Sequence, residues 1–203
     1  VLIATNLLTW HYFRQKLARG ESTGGVAALP SSAMAVPPGP QAPLENNYRI
    51  TNGHDHLYML KHLDKYLKAA ESLGVVRTLF VASSEFTFAG KGGKDKLNDW
   101  NTKEILTAAK QNPGKIIPFA TMHPDDPDKV GLLKGYVADG AMGLKLYTGH
   151  SNFYDRKLDV DEMLPVYAYC EEQGLPIVWH INMEKYGDEF ERVMARYPNL
   201  HVL

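Results

Sequence analysis

Two hydrophobic periods alternate along most of this chain. Short segments that are apolar on nearly every position recur at Val75–Ala82 (VVRTLFVA), Lys115–Met122 (KIIPFATM), Ala141–Tyr147 (AMGLKLY) and Leu175–Asn182 (LPIVWHIN). Runs of that length and composition are strands buried on both faces. A further strand is predicted from Tyr48 to about Tyr58, and Leu200–Leu203 begins a sixth. Between the strands the period changes to that of a helix. Leu60, Leu63, Tyr66, Leu67, Ala70 and Leu73 fall on one face, and Gly74 stops them. Further helices are predicted over Thr102–Gln111, ended by Asn112-Pro113-Gly114, over Pro127–Ala138, over Val160–Gln173, closed by Gly174, and over Lys185–Arg196, ended before Pro198.

Strands and helices in strict alternation, at this spacing, build parallel βαβ units. Two α/β architectures fit that pattern. An open, doubly wound sheet of five strands would be complete here. A (β/α)8 TIM barrel needs eight units and ~250 residues, so this chain would hold strands one to five and the start of strand six.

The first 43 residues lie outside the pattern. Val1–Phe13 is largely apolar, ends on Trp10, Tyr12 and Phe13, and is followed by Arg14, Lys16 and Arg19. That order is found where a chain leaves a bilayer, so residues 1–19 read as the end of an N-terminal membrane anchor. The side of the membrane on which the body lies stays open, cytoplasmic or periplasmic. Residues 20–43 are rich in Gly, Ala and Ser, carry Pro30, Pro37, Pro38, Pro40 and Pro43, and keep no apolar period. They read as a linker. The folded body then covers 44–203, about 160 residues. Two truncations around an incomplete barrel are the expectation, with little turnover from the 203-residue chain alone.

Composition narrows the partners. Of 203 residues 44% are hydrophobic, which is globular, and 22 basic against 23 acidic residues give a net charge of −1. Such a chain has no field for gathering phosphates, so nucleic acid is excluded as a first partner and a small molecule preferred. A single cysteine, Cys170, allows no internal disulfide and no Cys-rich zinc module.

Candidate chemistry collects at the C-terminal ends of the predicted strands, where barrels and open sheets both build their sites. His54 and His56 are two apart on the first strand, so their imidazoles share a face while Asp55 takes the other. Two neutral imidazoles on one rigid strand can seat a divalent metal. Lys145 ends the fourth strand in phase with Gly143 and Tyr147, among apolar neighbours that make an uncompensated ammonium costly. His180 ends the fifth strand in phase with Val178 and Asn182.

The strand-one GHDHLY, the strand-four GLKLYTGH, and PIVWHIN followed by a helix and RYPNLHVL resemble the amidohydrolase superfamily, and within it the amidohydrolase-related (amidohydrolase 2) group. The resemblance covers about Ile50–Leu203 and rests on the joint order of the motifs. It implies a distorted TIM barrel with one or two divalent metals, usually zinc, that activate water for hydrolysis. His54 and His56 match the strand-one ligands and His180 the strand-five ligand. Lys145 matches the lysine that two-metal members carboxylate to bridge their ions, and its other role is a cation facing a substrate carboxylate. The family position two before the first histidine is Asn52 here. A strand-six histidine and the strand-eight aspartate that serves as base have no counterpart, and His201, at the start of strand six, does not replace them. His123, His150 and Asn182 are candidates for substrate contact, Asn182 also as support for His180.

The expected activity is therefore hydrolysis of a small amide, ester or lactone by a metal-activated water. Metal-assisted decarboxylation within the same family and a non-catalytic open-sheet binding module are the alternatives. Strand order separates barrel from open sheet.

Overall fold

The computed structural model describes residues 49–83, 98–150 and 154–203. The expected anchor, the linker and the body's first residues lie outside them. Among the described residues no helix is long and apolar enough to cross a membrane.

Among the described residues five strands alternate with five α-helices, as the two periods require. The strands are β1 (Ile50–His56), β2 (Val75–Val81), β3 (Ile116–Thr121), β4 (Gly143–Leu146) and β5 (Ile177–Trp179). The helices are α1 (Leu63–Ser72), α2 (Asn98–Gln111), α3 (Lys129–Ala138), α4 (Leu164–Gln173) and α5 (Met183–Arg196). Every strand pair is parallel and the order in the sheet is the order in the chain. A doubly wound sheet reverses direction at a switch point, and this one does not. It is a curled half-barrel with helices on its outside. Beyond β5, Val202 bridges Ile177 in parallel, and Leu203 N donates to Ile177 O at 2.8 Å. The expected sixth strand thus starts where a barrel would place it.

Alternation along the strands sorts the core. Leu79, Val81, Phe119 and Val178 pack together on the inner side of the sheet. Phe80 and Ala82 pack with Leu63 and Ile105 on the helix side, and Leu144, Leu146, Ile177 and Trp179 with Leu133, Val166 and Tyr167. Cys170 belongs to this outer layer, where burial pushes its thiol up to about 12. Residues Asn46–Leu203 form one compact unit.

Helix starts differ from expectation for local reasons. α3 begins at Lys129, because the Asp128 side chain caps it by accepting from Gly131 N at 2.9 Å. α4 begins at Leu164, with Pro165 in its first turn. α2 begins one turn earlier than the apolar period shows, at Asn98.

Candidate metal centre

β1 delivers its two histidines through an irregularity. Asn52 pairs with Thr78 and Asp55 with Phe80, so Gly53 and His54 together oppose Leu79. This is a β-bulge, which changes the phase of the side chains. Asn52 and Asp55 both turn to the helix side, where Asn52 Nδ2 donates to Asp55 Oδ2 at 3.1 Å and to Tyr66 Oη at 2.9 Å. His54 and His56 share the inner side with their ring centroids 5.1 Å apart, as expected. His56 Nδ1 stands 3.2 Å from the Ala82 carbonyl. A carbonyl only accepts, so Nδ1 carries the proton and Nε2 is the nitrogen with the lone pair.

β4 supplies Lys145, 1% exposed. Among the described residues no carboxylate pairs with it, and its Nζ lies 4.6 Å from the centre of the Tyr147 ring. Thr121, its register partner on β3, keeps a buried hydroxyl without a hydrogen-bond partner. β5 ends on Trp179, and His180 follows on the rim, its backbone N held by Leu146 O at 3.1 Å. His54, Lys145 and His180 line one recess of about 410 Å³, with Gly53, Val178 and Ile181 as its apolar wall.

His54, His150 and His180 are poor bases. Desolvation first, then the Lys145 ammonium and the neighbouring histidines, bring His54 down to about 4. Burial and the same cation lower His150, and burial with His150, Lys145 and His56 lowers His180. Burial alone brings Lys145 down to about 8. The unfolded chain takes up protons below about pH 6.5 that these rings refuse, so their share of stability is complete above 6.5 and is lost as pH falls toward 4. The urea midpoint is expected to be lower at pH 5 than at pH 7.5, and the His54→Gln variant to lose part of that difference. An equal difference in the variant would show that His54 titrates normally.

The donor chemistry fits a divalent ion: neutral imidazoles, one tautomer fixed by a carbonyl and, among the described residues, an orphaned hydroxyl and a lysine without a counterion. The side chains do not converge as a closed shell. Among the described residues no group of three or more His, Cys, Asp or Glu is placed to hold a metal.

The other expected residues divide. His150 is brought in. The turn at Gly149 (φ 86°) folds it back so that its ring meets that of His180 edge-on at 4.1 Å. His123 is buried in the loop after β3, where Nδ1 accepts from Asp125 N at 3.0 Å and the ring meets Tyr154. Asn182 caps α5, accepting from Lys185 N at 3.2 Å. His201 lies at the opposite end of β5 from His180, its carbonyl accepting from Ile177 N. Tyr147 was not among the expected site residues, although its place two residues after Lys145 on the same strand face was the signal.

No family model matches the sequence, and no curated protein matches it. Solved structures do match the fold. A Staphylococcus aureus protein described as an amidohydrolase superimposes with a TM-score of 0.62 at 15% identity, over 76% of this chain and 66% of that one. A 2,6-dihydroxybenzoate decarboxylase from Rhizobium gives 0.61 at 11%, over 76% and 65%. A 5-carboxyvanillate decarboxylase from Novosphingobium aromaticivorans, solved with manganese and a nitrobenzoic acid, gives 0.59 at 14%, over 78% and 65%. The chain thus spans just under two thirds of the length of each. At such identities the likeness shows the fold alone, an α/β barrel of which the described residues form five strands.

Proposed function

We propose that this chain carries the metal-binding rim of an enzyme that hydrolyses a C–N or C–O bond in a small amide, ester or lactone. The observation that carries the reading is the meeting of His54, Lys145 and His180, from three strands, around one recess with their proton affinities suppressed. His54, His56 and His180 would hold the ion, zinc first. Bound there, it supplies a water of pKa near ~7 and polarises a carbonyl. Lys145 faces the recess as a cation with no carboxylate partner among the described residues, suited to a substrate carboxylate or, once carboxylated, to the metals themselves.

Decarboxylation is the second reading. It is favoured by the apolar wall beside Lys145, which would hold a carboxylate-bearing ring, and by decarboxylases among the structures of this fold that bind such acids.

The full-length protein, stripped and reloaded, is expected to bind roughly one to two equivalents of zinc or manganese, and His180→Ala to lower that number. Metal analysis that finds no bound ion in a properly loaded sample overturns the reading. Product analysis on ester, lactone and amide panels, beside CO2 release from hydroxybenzoic acids, then separates hydrolysis from decarboxylation.

A further inference from the structure

We infer that Tyr147 is a positioning residue for the metal centre, holding the carbonyl that sets the tautomer of His56. The inference rests on His56 being a ligand, as proposed above. The side chain of Tyr147 is almost wholly buried on the inner side of the sheet, 2% exposed, and reaches three site elements at once. Its Oη donates to the Ala82 carbonyl at 2.8 Å, the same oxygen that His56 Nδ1 approaches at 3.2 Å. Its ring lies under Lys145 Nζ at 4.6 Å, and its centroid is 6.2 Å from that of His150.

Ala82 stands one residue beyond β2, and no backbone N–H of a described residue bonds its carbonyl. Among the described residues the phenol of Tyr147, one residue beyond β4, donates the shorter hydrogen bond to that oxygen and orients it. A carbonyl has two lone pairs and can take both donors. With Tyr147 on one, the other is aimed at His56 on β1, three strands away from β4 in the sheet order. The proton is thereby kept on Nδ1, and Nε2 stays a ligand. Partners of this kind behind a metal-binding imidazole typically affect metal affinity by roughly 10–100-fold.

Tyr147→Phe keeps the ring under Lys145 and removes only the hydroxyl, so it tests the assignment. In the metal-free full-length protein, 15N–1H correlation spectra of the histidine rings are expected to show His56 as the Nδ1–H tautomer, and a tautomer mixture in Tyr147→Phe. Zinc affinity is expected to fall about tenfold or more in the variant. Tyr167→Phe, which removes another buried hydroxyl bonded to a carbonyl (Leu158 O, 2.9 Å), serves as control and should leave both readouts unchanged. A Tyr147→Phe protein with the wild-type His56 tautomer, or with zinc affinity within twofold of wild type, overturns the role of Tyr147. If wild type itself takes up no metal, the metal reading fails, while the tautomer of His56 still decides what Tyr147 does.

Discussion

Lys145→Met is expected to make the protein more stable, by about 3 kcal/mol at pH 7, while weakening whatever the recess binds. The ammonium is 1% exposed, has no carboxylate partner among the described residues, and titrates near 8 rather than 10.5. Each unit of that shift is worth about 1.4 kcal/mol. The sign follows from linkage. Below pH 8 the fold carries a charged lysine that the unfolded chain would rather hydrate, so the cost is complete there. It shrinks as pH rises, and is gone by about 10.5, where both states are neutral. Methionine fills similar space without the charge. Urea denaturation at pH 7 and pH 10 reads the effect, with a thermal midpoint roughly 10 °C higher at neutral pH. A variant that is less stable than wild type at pH 7 would mean that the ammonium has a partner, such as a bound anion. Retention of a destabilising buried charge is what a functional cation looks like.

The second large effect is in the opposite direction. Gly143→Ala is expected to cost about 3 kcal/mol, because a Cβ there has nowhere to go. It would stand 2.4 Å from Phe119 Cε2 and Cζ, and 2.7 Å from the backbone oxygen of Pro176. Phe119 fills the inner core with Leu79, Val81 and Val178, and the Pro176 carbonyl is the acceptor for Leu144 N at 2.9 Å that joins β4 to β5. Either the ring leaves its place or two strands part, two residues below Lys145. A lowered urea midpoint is the expected reading. Adding Phe119→Leu should restore only a part, since the carbonyl is still in the way. A Gly143→Ala protein as stable as wild type would show that β4 shifts freely.

Much of this was legible in the chain. Runs such as LPIVWHIN are apolar on both faces because helices cover one side and the inner core the other, and that signature survives without any coordinates. The common rim of His54, Lys145 and His180 followed from strand ends alone. What escaped depended on contacts between distant segments. The first turn of α2 is polar, yet Asn98 and Asn101 are buried, and Asn101 accepts from Ser83 N at 3.0 Å and donates to Leu57 O at 2.8 Å. A helix end fixed by amides at strand ends has no apolar period to show. The approach of His150 to His180 depends on the backbone at Gly149, and Tyr147 gains its meaning only from a carbonyl 65 residues away in sequence.

The bulge in β1 has a wider consequence. In a regular strand, one parity of positions is committed to one side from end to end, so a change of need on either side competes for the same residues. Here the commitment is reset midway. Asn52 and Asp55 tie the strand to α1 through Tyr66, and the imidazoles face the lumen, although Asn52 and the two histidines are all even-numbered. Seven residues therefore hold two independent assignments, a mechanical tie and a chemical ledge. The tie can vary in sequence without displacing the ledge.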